Sequence, residues 1–398
     1  MSDVPEPAGS AGLLISGAGS VGSALALAAA HAGVPVTLIE KRKEEGGRQD
    51  PRLFALSEPS WRWLGEIGVL NHLGVPASPI REILVEEPGH PPVRLDALDV
   101  DLPVLGYTVW ASQLEDAFGR AVRSEPGIRF LPGTQIESLV AGRGGADCRL
   151  QTPQGAGRLI APLVVIAEGR PPGWALGFGM RSVEEDTGRT ALVIPLATRV
   201  RPVFAQAYEQ LAGDSLLAIL PAATARSVVT WTLPRAAARR FMEAPPAGRR
   251  GELARRIGCN PEAIVWDGDP ASFDLLTRRV DPPCADRVLL IGNAAHSIVP
   301  FAAQGLNLAL RDARHLVGAF VSSRTAGQDW GSREWTARFW TGRARDHRRV
   351  DGLTVGLPRL FALKDPLSRL IRSGGWAVVA RSPGIQRRIL MRGLGWNP

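Results

Sequence analysis

Cysteine, histidine and lysine are scarce in this chain of 398 residues. The three cysteines, Cys148, Cys259 and Cys284, lie far apart and form no CxxC pair, which excludes a disulfide framework or a thiol redox centre and fits a reducing compartment. The six histidines form no HxxxH and no His/Cys cluster, so the sequence supports no metal site. Lysine occurs only at positions 41, 43 and 364. The basic charge is therefore almost all arginine, no aromatic-interleaved RNA motif accompanies it, and nucleic acid is not an expected partner. No apolar run is long enough to span a membrane: the stretch from Leu13 to Ile39 is interrupted by Gly17, Gly19, Gly22, His31, Gly33 and Pro35. The start, MSDVPEPAGSAG, has acids and prolines in place of a basic n-region and is not expected to be a signal peptide.

What is present is the composition of an ordinary folded protein, 45% apolar and 22% charged, long enough for two lobes. The formal net charge is +8. Its distribution matters more than its sum, because residues 335–398 hold 13 Lys or Arg against three Asp, a local net of +10. The remainder is slightly acidic.

Residues 13–40 read LLISGAGSVGSALALAAAHAGVPVTLIE. A short apolar strand should lead into a glycine turn, a small-residue helix should follow, and a second strand from Val36 should end on Glu40. Gly17 permits the tight turn, Gly19 lets the backbone approach a pyrophosphate, and Gly22 lets helix and strand pack closely, with the helix amino terminus facing the phosphate charge. Glu40 is placed to accept from a ribose hydroxyl. The order of these parts marks a dinucleotide site and leaves FAD and NAD both open.

Two further stretches bear on that choice. Arg52 begins RLFALS, and Trp61, Leu64, Ile67 and Leu70 follow at helical spacing as a core stripe. Val288 to Ile291 reads as a third buried strand. Beyond it Gly292 permits a sharp exit, Asn293 supplies an amide that can bond a polyol, Pro300 fixes the loop, and Gly305 lets backbone N–H groups face a ligand where the next helix starts. Leu306, Leu310, Ala313, Leu316, Val317 and Phe320 form a buried stripe that turns this helix start inward. Such an end carries about half a positive charge, which suits the anionic pyrimidine end of a reduced flavin. Ser112 to Glu115 read as a capping box, His296 as locally packed, and the other histidines as scaffold.

These residues resemble the single-component, FAD-dependent aromatic hydroxylases of the para-hydroxybenzoate hydroxylase fold, and within them the ubiquinone-biosynthesis hydroxylases that act on polyprenylated phenols. The motifs that carry the resemblance are GAGSVG (17–22), Glu40, RLFALS (52–57), GNAAHSIVP (292–300) and AQGLNLALRDA (303–313), continued in RARDHRRVDGLT and LPRLFALKDPLSRLIRSGG. The resemblance implies that Gly17, Gly19, Gly22, Glu40, Arg52, Gln113, Gly292, Asn293, Gly305, Leu306 and Asn307 hold FAD. It implies no catalytic side chain, only flavin-borne chemistry supported by Pro300, Gly305, Leu306 and Asn307. NAD(P)H is then a transient donor, O2 the oxidant through a C4a-hydroperoxyflavin, a hydrophobic phenol the substrate, and other quinone-biosynthesis proteins the associates. Two positions depart from the wider fold. Asn293 stands where Asp is usual, and Glu168-Gly169-Arg170-Pro171-Pro172 replaces Asp-Gly and small residues, with two prolines stiffening the segment.

The expected architecture is α/β with an α+β second lobe. A doubly wound, Rossmann-like FAD-binding domain is assembled from 1–75, 100–170 and 285–330; a β-sheet substrate domain takes 171–284 with an insertion at 76–99; a basic helical region takes 331–398. Strands are expected at 191–200, 204–209, 215–221 and 227–233, with arginine-rich helices at 235–243 and 248–257. Val193, Pro195, Leu217, Ile219 and Trp231 are candidate pocket walls, each more simply read as core. The mixed apolar and basic end, from Leu357 to Trp396, reads as a segment lying on an anionic bilayer, which places the protein in the cytoplasm and peripherally on the inner face of a membrane. A tail packed on the protein with its arginines in water is the other reading. Hydroxylation of a soluble aromatic compound, or a non-catalytic FAD-binding subunit, also stays open.

Overall fold

The computed structural model describes residues 12–43, 50–198, 200, 205–363 and 365–395. The amino-terminal stretch, Phe204, Lys364 and Trp396 lie outside them. A six-stranded sheet runs in the order Cys284–Ala285, Val288–Leu290, Leu163–Ile166, Leu13–Ser16, Val36–Glu40, Ile128–Pro132. All its pairings are parallel except the edge pair Cys284–Ala285 with Val288–Leu290. The central strands are buried along their whole length, as parallel strands covered on both faces must be. On one side lie the fingerprint helix Ser20–His31, the helix Ala111–Ser124 and the long helix Gln304–Thr325; an antiparallel meander, Gln135–Gly142, Gly145–Thr152 and Gly155–Ala161, contributes Leu139, Cys148 and Leu150 to the same core.

The second large sheet has eight strands, His296–Ser297, Ala271–Asp281, Arg181–Leu196, Ser227–Pro234, Ser215–Pro221, Gln206–Ala212, Glu82–Glu86 and Val93–Asp96 in spatial order. The strand expected at 204–209 is Gln206–Ala212. Strand alternation gives the sheet two faces. Leu192, Ile194, Leu217, Ile219 and Trp231 pack under the helices Arg235–Glu243 and Pro246–Ile257. Three of the candidate wall residues, Leu217, Ile219 and Trp231, are thus core on the face away from the other lobe. The opposite face presents Ala207, Leu211 and Leu216 to Ile80, Leu105 and Phe301.

The carboxyl end is folded onto that same contact. Phe361, Trp376, Leu390 and Leu394, from the helices Leu357–Ala362, Pro366–Arg381 and Pro383–Leu394, are buried in the cluster containing Leu95, Val100 and Phe301. Trp376 donates its indole N–H to Pro91 O at 2.6 Å, and Arg372 Nη1 reaches Leu360 O, Phe361 O and Leu363 O. Four of the expected bilayer-facing residues are therefore protein core. Leu370, Ile371, Val378 and Ile389 remain exposed.

Candidate cofactor and substrate site

The fingerprint turn divides its labour among three glycines. Gly17 has φ +107° and lies so close to strand Leu163–Ile166 that a β-carbon would stand 2.7 Å from Ala167 backbone; at Gly22 a β-carbon would stand 1.9 Å from Gly17 O. At Gly19 a β-carbon meets nothing within 4 Å. Two of the glycines are required by the chain's own packing, and the third opens onto a cleft. Glu40, buried at the end of its strand, accepts from Ala18 N at 3.0 Å through Oε2 and from Arg42 N and Nε through Oε1. Burial pushes its carboxyl up, but the bonds from Arg42 and Ala18 outweigh that and hold it below the ordinary value. It is an ionised acceptor, and a carboxylate oxygen bonded once can still receive a hydroxyl.

Gly292 of the later motif returns to the fingerprint helix. Gly292, at φ +59°, packs against Val21 of the fingerprint helix and Ala309 of the long helix, leaving Asn293 exposed beside them. Arg52 stacks near Phe54 and Phe273, with its guanidinium 5.4 and 5.9 Å from the ring centres, and bonds Asp50 Oδ2 at 2.5 Å. Its carbonyl accepts from Ala111 N at 3.0 Å, which brings the start of Gln113's helix to the same place; Gln113 is half-buried there. The capping box expected at Ser112 and Glu115 does not form. The helix begins one residue earlier, at Ala111, with Trp110 as its uncapped N-cap, because strand Gly106–Trp110 runs directly into it and leaves no turn for Ser112 to close.

The long helix starts after two alanines, Ala302 and Ala303, held at φ +51° and +49°. No side chain caps it, so the first-turn N–H groups at Gly305 and Leu306 are open to an anion or an electron-rich ring. Left-handed alanines are strained, and such strain concentrates where a backbone is aimed at a ligand. Asn307 has a different part from the one its motif suggests. Its amide is fully engaged within the protein, accepting from Ser57 N at 2.9 Å and donating to Ala55 O at 3.0 Å and Ala303 O at 2.7 Å. It is a strut that fixes RLFALS against the helix start. Pro300 is exposed at the mouth of that loop.

Two features escaped the sequence. Glu209 lies between Ala207 and Leu211 on the sheet face turned toward the other lobe, and burial pushes its carboxyl up to about 7; the alternation in QAYEQLA could have revealed it. The second is a buried cluster, for His347 is not a lone scaffold histidine. It bonds Asp312 Oδ2 at 3.0 Å, stacks edge-on with His296 at 4.5 Å between ring centres, and shares Asp312 with Arg343 Nε at 2.6 Å. His296, Asp312 and His347 stand as a metal triad would, but the Arg343 guanidinium occupies the carboxylate and makes it an ion-pair network. Burial would raise the Asp312 carboxyl; His347 and Arg343 instead hold it down to about 2. His296 is driven to about 4 by burial and by the neighbouring His347. Positions 250 residues apart, as in the pair Asn307–Ser57, give no local pattern to read.

Comparison with known proteins agrees with this geometry. Residues 11–330 match the FAD binding domain family. The ubiquinone hydroxylase UbiL of Rhodospirillum rubrum is 28% identical over 97% of this chain and 90% of its own length. The 3-demethoxyubiquinol 3-hydroxylase of Escherichia coli K12 is 26% identical over 96% of this chain and 98% of its own. Among solved structures, the p-nitrophenol 4-monooxygenase PnpA of Pseudomonas putida DLL-E4 superposes with a TM-score of 0.77 at 18% identity, covering 97% of this chain and 98% of that one.

Proposed function

Because the chain belongs to the FAD binding domain family, we propose that it is an FAD-dependent monooxygenase that hydroxylates the aromatic ring of a polyprenylated phenol in ubiquinone biosynthesis. The observation that carries this reading is the packing of the fingerprint helix and the strand after Arg52 against the long helix with its uncapped start, in a chain matched nearly end to end by two ubiquinone-pathway hydroxylases. The site fits FAD. Gly19 leaves room for a pyrophosphate, Glu40 keeps an acceptor for a ribose hydroxyl, and Asn293 presents an amide to the polyol.

FAD, reduced by NAD(P)H, supplies the oxygen activation. The chain's own residues bind and orient it. The uncapped N–H groups at Gly305 and Leu306 would be the donors that stabilise negative charge on a flavin bound at this helix start. Asn307 keeps that helix start registered to strand Leu53–Ser57. The buried cluster of Leu105, Leu216 and Phe301 would keep water from the lobe contact beside it.

Peripheral contact with a membrane belongs to the same proposal. Leu370, Ile371 and Val378 are 70%, 55% and 54% exposed; the exposed Arg381 lies on their helix, and the exposed Arg388 and Arg392 on the next. Among the described residues no helix is long and apolar enough to cross a membrane. Aspartate at 370 and 371 should weaken binding to anionic liposomes with FAD content unchanged; equal binding by the variant ends the membrane reading.

The test of the activity is NAD(P)H oxidation by the FAD-loaded protein with and without a prenylated phenol, with the product followed by mass. A gain of one oxygen, coupled to stimulated oxidation, is expected. Stable FAD without phenol-stimulated turnover would instead identify a non-catalytic subunit.

A further inference from the structure

A cavity of 1130 Å³ lies between the strands Arg181–Leu196 and Ala271–Asp281 of the large sheet, the segment 295–299, and the helix Arg333–Asp351. It is larger than the ~300–1,000 Å³ usual for ligand pockets. None of Gly19, Glu40, Arg52, Asn293 or Gly305 lines it, so it is not the cofactor cleft. It is nevertheless adjacent to the reactive end of that cleft. Ile298 lines the cavity and also stands 3.7 Å from where a β-carbon on Gly305 would be. Val299 lines it immediately before Pro300, and Leu216 lines it while packing in the cluster that contains Phe301. One layer of side chains separates the two spaces.

The chemistry of the wall suits a hydrocarbon. Val280, Ile298, Val299, Leu216, Trp340 and Ala344 form an apolar lining. Several of its charges are paired, and those at the mouth face water: Arg279 bonds Asp351 at 3.1 Å with 63% of its side chain exposed, and Arg359 bonds Glu185 at 3.5 Å with 69% exposed. Arg278, deeper in, is bonded by Glu184 at 2.5 Å. His296 is buried and its Nδ1 has no partner; uncharged, it adds no ion to the interior. A bulky, branched chain with no hydrogen-bonding group can pack along that apolar lining.

We infer that this cavity holds the isoprenoid chain of the substrate while its phenol ring lies against the start of the long helix. The inference rests on the proposed function and assigns that reaction its chain-binding subsite. The ring then enters past Ile298 and Val299, and chain length is sensed by the Arg333–Asp351 helix.

The experiment uses the FAD-loaded protein and phenols carrying zero, one, two or three isoprene units. KM should fall at least about tenfold from the bare phenol to the longest chain, as apolar surface is buried. Ala344→Trp, which fills the cavity, should remove that dependence and leave turnover of the bare phenol unchanged; Val355→Phe, on another wall, serves if the first variant fails to fold. Farnesol alone should quench the emission that Trp340→Phe removes. Unchanged chain-length dependence in the filled variant, or none in the wild type while phenols are still hydroxylated, overturns the subsite and leaves the hydroxylase reading intact. Failure to hydroxylate any phenol overturns both, even if farnesol binds.

Discussion

At the scale of single residues, the glycine fingerprint makes opposite demands at neighbouring positions. Gly22→Ala should cripple folding, because its β-carbon would overlap Gly17 O at 1.9 Å. Gly19→Glu should fold and lose FAD, since its side chain enters open space where the pyrophosphate lies. Circular dichroism and flavin absorbance separate the two; a yellow Gly19→Glu protein would remove the first-site assignment. His296 makes a second prediction. Its ordinary value is about 6.5, against about 4 in the fold, so between those values the unfolded chain binds a proton that the folded chain refuses. Stability should therefore be full above pH 6.5 and decline as pH falls through 4, by roughly 3 kcal/mol when fully developed. The urea midpoint at pH 7 and pH 5 measures it, and His296→Asn should flatten the difference. The glycines were legible because spacing alone dictates them. Asp312 and His347 were not, because their pairing is a contact between two helices that no local pattern announces.

At the scale of elements, the strut at Asn307 explains why RLFALS and AQGLNLAL occur in one chain. Asn307→Leu is nearly isosteric but leaves Ser57 N and two carbonyls, at Ala55 and Ala303, without this partner. Each buried group so stranded costs about 1–3 kcal/mol. The variant should lose stability on that order and also release FAD more readily, which thermal melting with and without added FAD would show; an unchanged FAD affinity would limit Asn307 to a structural part. Strand and helix positions were readable from periodicity. Which face of each strand meets the other lobe was not, since Leu217 and Leu216 are chemically alike and only the sheet's partner decides their roles. The capping box failed for a related reason: S-x-x-E marks a helix start only where a turn precedes it, and here a strand does.

At the scale of the whole molecule, the carboxyl end is a structural closure as well as a surface. Removing residues 357–398 would uncover Ile80, Leu95 and Leu105 by taking away Phe361, Trp376, Leu390 and Leu394, and would break the bond from Gln304 Nε2 to Gly393 O at 2.9 Å. Truncation should lower the melting temperature and the FAD content together, measured by differential scanning and flavin absorbance. Full FAD retention would show that the tail and the long helix are independent. The basic, apolar composition of this segment was plain in the sequence, but composition is shared by a helix on a bilayer and a helix on a protein.

The six-stranded sheet takes its central strand from residues 13–16 and one of that strand's flanking neighbours from 163–166, and closes only with 288–290. On a ribosome the strand Leu163–Ile166 must therefore wait for its second neighbour while residues 167–287 emerge, and five of the second sheet's eight strands are synthesised in the interval. So many distant pairings predict slow folding and a long exposure of apolar strand edges. Nascent chains arrested before Val288 should be protease-sensitive around Leu163–Ile166 and become resistant only once the last parallel strand has cleared the exit tunnel.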